Sequence, residues 1–235
     1  MEQVNTVRAL PDSIGVIDTE TTGMDSSAEV IEVGVVSYGY NFRELFSSER
    51  GIPVECSAVH HIIESDVLDK PLFKDYAPSL RDDLHRNGIN TLVAHNAEFD
   101  RKMLGDEFAD FAWICTYKCA LHVWPDAPKH TNEALCYYLG VGTIGRASRS
   151  SLAAHSAYFD SCQTFAILTE LAKHATIDQM IAWTKDIKNL PRMPFGKHAG
   201  KTWAEIDSGY LSWVTKNLDD ADIKELAARE LRRRR

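Results

Sequence analysis

Short apolar, β-branched runs closed by turn residues or acidic groups constrain this chain more than any other feature. Residues 13–18 (SIGVID) and 30–37 are such runs, with turn residues at 25–27 between them, and residues 40–46, after Gly39, suggest a third strand. That order predicts a three-strand meander. A fourth run, residues 91–95 (TLVAH), passes at once into a helical stretch through Glu98–Leu104, and residues 113–115 are short enough for a last strand. A helix is also predicted over residues 75–86, stopped by Asn87-Gly88, and the chain up to Leu190 reads as helix-rich. Three strands followed by alternating α and β elements predict an α/β fold, a mixed five-stranded sheet flanked by helices.

Residues 190–194 (LPRMP), with two prolines, break this pattern and mark a boundary. The expected organisation is an extension over 1–12, a principal domain over 13–174, a helix or linker over 175–190, and a small segment with a basic tail over 191–235. A length of 235 residues suits one medium domain with such an appendage.

The formal charge of −8 bears on what the chain can bind. Residues 1–190 carry 16 Lys+Arg against 27 Asp+Glu, whereas residues 191–235 carry 10 against 7. Net acidity does not exclude a phosphate substrate, because bound divalent ions reverse the local field. No run approaches the ~18 apolar residues of a membrane span, and the opening MEQVNTVRALPDS lacks a signal core, so a cytoplasmic protein without a membrane partner is expected. The five cysteines are odd in number and scattered, which predicts free thiols.

Three clusters carry chemistry. Asp18-Thr19-Glu20 closes the first predicted strand, where residues two apart point to the same side and both carboxylates can face one ion. Taken alone, the pair is a weak signal, since two acidic residues closing a strand are more often solvated loop groups. The second cluster, His95-Asn96-Ala97-Glu98-Phe99-Asp100, again lies where a strand meets a helix. If strands one and four are parallel neighbours, both clusters open into the crevice beyond the strand ends, where open α/β sheets bind ligands. Asp100 alone also suits a helix N-terminus. The third cluster runs from His155 to Asp160 on an apolar helical stretch, and a carboxylate beside Tyr158, Phe159 and Phe165 is costly unless paired or metal-bound.

Together, Asp18, Glu20, Asp100 and Asp160 make a hard oxygen site suited to Mg²⁺ or Mn²⁺. Two such ions about 4 Å apart stabilise the attacking and leaving oxygens of an in-line phosphoryl displacement. His155, with a pKa near the working pH, can accept the proton of the attacking water.

The order Asp-x-Glu, His-Asn-x-x-Phe-Asp and His-x4-Asp, across residues 13–172, resembles the DEDDh 3′→5′ exonucleases. The resemblance implies a ribonuclease H-like fold, with two Mg²⁺ (or Mn²⁺) on Asp18, Glu20, Asp100 and Asp160 and His155 as general base. The sister type places a Tyr four residues before the last Asp, a position held here by Ser156. Residues 58–62 (AVHHI), 69–71 (DKP), 114–118 (ICTYK), 195–201 (FGKHAGK) and 210–213 (YLSW) are similar to the exonuclease X-like members. The resemblance further implies substrate contacts from Thr19, Thr21, His60, Asn96 and Phe99. It implies DNA 3′ ends as substrate and nucleoside 5′-monophosphates as product, with RNA the alternative, since discrimination rests on contacts near the 2′ position. The third possibility, a non-catalytic nucleic-acid-binding module, sits poorly with a complete set of acidic residues.

Gly200-Lys201-Thr202 imitates a nucleotide-binding loop, but Gly196 leaves three residues where the loop needs four, and ATP binding is rejected. Lys197 and Lys201, with Trp203, Tyr210 and Trp213 nearby, read either as nucleic-acid contacts or as solvated lysines beside a small aromatic core. Residues 232–235 read as a disordered basic tail with incidental phosphate affinity.

Overall fold

The computed structural model describes residues 10–141 and 156–235. Its centre is a five-stranded mixed sheet of order β3-β2-β1-β4-β5. The strands are β1 (Ile14–Thr21), β2 (Val30–Val36), β3 (Asn41–Leu45), β4 (Thr91–Ala94) and β5 (Ala112–Cys115). β1 to β3 form the expected antiparallel meander, and β4 and β5 add in parallel beside β1. The first and fourth strands are parallel neighbours, the condition for both acidic clusters to share one crevice, in the register Ile14–Thr91 to Val16–Val93.

The helices are α1 (Val54–His60), α2 (Glu64–Val67), α3 (Phe73–Arg86), α4 (Glu98–Leu104), α5 (Thr116–Val123), α6 (Asn132–Leu139), α7 (Ala157–Leu171), α8 (Ile177–Lys185), α9 (Ser208–Asn217) and α10 (Ala221–Arg233). Alternation along the buried strands sends side chains to two cores. Ile17, Val33, Leu92 and Trp113 meet Phe73, Leu80 and Leu84 of α3, with Leu104 of α4. Val16, Val93 and Ile114 meet Cys119, Leu135, Ile167, Leu168 and Met180 of the helices on the other face. α8 belongs to this second layer: the Cys115 N–H donates to Thr184 Oγ1 at 2.7 Å, and Lys118 Nζ donates to the carbonyls of Thr184 and Asp186.

α7 needs a special accommodation on the sheet. A Cβ at Gly34, in the middle of β2, would meet the backbone of Ala157 and Tyr158 at 2.3–2.4 Å. Glycine is therefore required where the first turn of the helix lies on the strand.

Beyond Leu190 the chain builds a small core of its own from Met193, Ile206, Leu211, Val214, Ile223 and Ala227, with Trp203 and Tyr210 packed against it. The basic tail departs from expectation. α10 runs through Arg233, and Glu230 accepts hydrogen bonds from both Arg233 and Arg234. Arg234 also donates to Ser208 Oγ and to the carbonyls of Trp203 and Ala204. These residues are ordered because acidic partners stand three and four positions earlier on the same helix face. No described helix is long and apolar enough to cross a membrane.

Candidate active site

β1 carries Asp18 and Glu20 on the face that receives α7, two and four residues beyond Val16 and in phase with it. Across the ladder, Asp18 stands opposite Gly34 and Glu20 opposite Glu32. Because Gly34 has no side chain, the first turn of α7 comes down onto the strand and delivers Asp160 to the same place. Oxygen atoms of Asp18, Glu20 and Asp160 lie within 4.8 Å of one another.

Asp100 arrives from the other side. α4 follows β4 through Asn96, which adopts φ +65°, and Asp100 occupies the first helical turn, 3% exposed. Its Oδ1 accepts the Thr19 N–H at 3.1 Å and the Thr19 hydroxyl at 2.9 Å. It stands outside the tight group of three, yet close enough for its charge to act on Asp18.

The electrostatics follow from packing four carboxylates together. Burial holds the Asp18 carboxyl well above the usual range, reinforced by Asp100, Asp160, Glu20 and Glu32. Glu20 is pushed up to about 8, by burial first and then by Asp160, Glu32 and Asp100. Asp100 is pushed up to about 7 by burial, against the lowering effect of the Thr19 hydrogen bonds. Carboxylates so arranged favour protons or a cation, and three oxygens at this spacing fit a hard divalent ion.

The turn between β4 and α4 is held by His95. Its Nε2–H donates to the His130 carbonyl at 2.8 Å, and Nδ1 accepts the Thr116 hydroxyl at 3.0 Å. Burial lowers its pKa to about 4, so the ring stays neutral and serves as a strut.

The remaining expected residues are placed as follows. The Thr19 hydroxyl is engaged by Asp100, and the Thr21 hydroxyl donates to the Gly23 carbonyl at 2.6 Å. His60 is 5% exposed; its Nδ1 accepts the Ile62 N–H, and its buried Nε2 has no hydrogen-bond partner among the described residues. Asn96 is exposed and Phe99 half-buried at the start of α4. Lys197 and Lys201 are exposed, far along the chain in the C-terminal module, with Lys197 Nζ 4.8 Å over the Tyr210 ring. His155, the expected base, lies outside the described residues.

Two groups essential to this geometry were missed in the sequence: Gly34 and Glu32, both inside β2. A glycine and a carboxylate within an otherwise apolar strand, VIEVGVV, are the signal that could have found them.

The chain resembles known proteins along most of its length. The chain matches the family model described as Exonuclease over residues 16–168. It is 33% identical over 215 residues to Exodeoxyribonuclease 10 of Escherichia coli (strain K12), covering 87% of this chain and 91% of that protein. DNA polymerase III subunit epsilon of Rickettsia prowazekii (strain Madrid E) is 31% identical over 156 residues, covering 58% of this chain and 66% of that protein. Among solved structures, exonuclease X in complex with 5′ overhanging duplex DNA superposes with a TM-score of 0.60 at 31% identity, covering 73% of this chain and 99% of that one.

Proposed function

Because the chain belongs to the exonuclease family, we propose that it hydrolyses DNA phosphodiester bonds from the 3′ end and releases nucleoside 5′-monophosphates. The observation that carries this reading is the convergence of Asp18, Glu20 and Asp160 oxygens within 4.8 Å, beside a buried Asp100. These four residues would hold two Mg²⁺, for which Mn²⁺ can substitute. When bound, the ions supply Lewis acidity and lower the pKa of a water near the scissile phosphate.

The protein's own groups do the rest. His155 immediately precedes Ser156, the N-cap of α7, and takes the proton of the attacking water. Asn96, Phe99, His60, Thr19 and Thr21 position the terminal nucleotide. Asn96 does so from an exposed left-handed turn between β4 and α4. Thr19 acts through Asp100, which its hydroxyl holds. Lys197 and Lys201 contact the strand further from its 3′ end. DNA is favoured by the 33% identity to an exodeoxyribonuclease over most of both chains. The five free cysteines suit a reducing cytoplasm.

The test is digestion of matched 3′-labelled DNA and RNA, single- and double-stranded, with Mg²⁺ or with chelator. Metal-dependent release of mononucleotides from DNA 3′ ends is expected. Faster attack on RNA would overturn the substrate assignment, and release from 5′ ends the polarity.

A further inference from the structure

Glu32 is a carboxylate with 1% exposure in the middle of the sheet, and the mechanism above does not use it. Burying such a charge is costly unless its oxygens are satisfied. Both are. Oε1 accepts the Nε–H of Arg43, on β3, at 2.8 Å. Oε2 accepts the backbone N–H of Ala157, the first residue of α7, at 3.0 Å. A negative group at a helix N-terminus also complements the helix dipole.

The placement of these bonds matters more than their number. Asp160 is the fourth residue of α7, between Ala157, held by Glu32, and Ser161, whose hydroxyl donates to the Gly34 carbonyl at 2.9 Å. The stretch of helix that presents Asp160 is thus pinned to β2 at both ends. Glu32 stands opposite Glu20 in the ladder, and its charge reaches Asp18 and Glu20, raising the proton affinity of each. It is nevertheless not arranged as a ligand, because one oxygen is given to Arg43 and the other to Ala157.

We infer that Glu32, supported by Arg43, is a positioning residue that sets the distance of Asp160 from Asp18 and Glu20 and thereby the affinity of the site for a divalent cation. This inference rests on the metal-site reading of those three carboxylates. Supporting groups of this kind are worth about 10–100-fold in metal affinity or activity.

The test measures Mn²⁺ binding by calorimetry, amide exchange in the metal-free protein, and kinetics on a 3′-labelled oligonucleotide. Glu32→Ala should weaken Mn²⁺ binding by ~10–100-fold, with a matching fall in kcat and little change in KM. In the metal-free protein the Ala157 and Ser161 amides should exchange faster, while the β1 and β4 amides stay protected. Glu32→Gln keeps an acceptor oxygen for Ala157 and should retain most of the affinity. Should Glu32→Ala fail to fold, Glu32→Asp withdraws the carboxylate by one methylene beside the same Arg43, and the same loss of Mn²⁺ affinity is expected. Unchanged Mn²⁺ affinity in whichever of these two variants folds overturns the positioning role, as does equal loss in the Gln and Ala variants. Absence of Mn²⁺ binding by the wild-type protein overturns the metal-site reading itself, and the positioning role with it.

Discussion

Thr19 gives both its backbone N–H and its hydroxyl to a single oxygen of Asp100, at 3.1 and 2.9 Å. The residue between the two acidic positions of β1 is therefore the tether for the second acidic cluster. With two donors already on Oδ1, a cation held by Asp100 would meet Oδ2. Thr19→Val removes the hydroxyl and keeps the N–H, and should lower kcat by ~10-fold, the lower end for a supporting hydrogen bond. Unchanged kcat and metal dependence in a folded Thr19→Val protein would reduce the tether to a packing contact.

Asp18→Ala or Asp160→Ala should abolish turnover without unfolding the protein. Each removes one member of a group whose oxygens lie within 4.8 Å. Relief of like-charge repulsion should raise the melting temperature measured in chelator. Turnover comparable to wild type in either variant would strike that residue from the ligand set.

Stability without metal should depend on pH in an unusual direction. Glu20 rises from 4.5 to about 8 and Asp100 from 3.8 to about 7 in the folded protein. Between the unfolded and folded values the native state binds more protons than the unfolded chain, so stability falls as pH rises. The stabilisation is full below about pH 4, the unfolded carboxylate range, and is lost as pH rises through 7 to 8. Thermal melts in chelator from pH 5 to 8 should show a declining midpoint, and divalent cation should recover most of it at the alkaline end. A midpoint that rises with pH under chelator would contradict the crowded arrangement of these groups.

His155→Ala should lower kcat by ~10²–10⁴-fold, the usual range for loss of general-base assistance. Divalent-ion affinity should stay close to wild type, because no coordination is assigned to this residue. Calorimetry with Mn²⁺ separates the two effects, and a variant that loses metal binding would move His155 from base to ligand.

Removing residues 191–235 should leave a protein that still cleaves short oligonucleotides at saturation, since the core beyond Leu190 is separate and the site lies before it. Longer DNA should bind more weakly, with the log–log salt slope shallower by ~0.7 for each lost single-strand phosphate contact. In the intact protein, Lys197→Glu should reproduce part of that change. Unchanged affinity and salt slope in a folded truncation would leave Lys197 and Lys201 as ordinary surface groups.

The strands and the acidic residues were legible because each depends on local pattern. β-branched runs locate β1, β2 and β4, position after a turn or helix locates β3 and β5, and alternation puts Asp18 and Glu20 on one side. What joins the segments was not legible. The Glu32 to Ala157 hydrogen bond spans 125 positions, and nothing local to either residue announces the other. The partition of the acids was hidden as well: Thr19 faces away from its neighbours and draws Asp100 to its own side of β1, so the four carboxylates do not form one equivalent set. The ordered arginine tail was overlooked although its signal is local. Glu230 lies three and four positions before Arg233 and Arg234, a helix pairing that the run of like charges obscured.

The close approach of α7 to Gly34 bears on how mutational scans of this protein should be interpreted. Even the methyl of alanine there would collide with the backbone of α7, so the helix would have to lift, carrying Asp160 with it. A scan would score position 34 among the most intolerant in the chain, level with residues that do chemistry, although it has no side chain with which to do any. Intolerance measured by lost activity therefore mixes two populations here, reacting groups and spacers. They part company only when metal binding and amide exchange are measured beside rate.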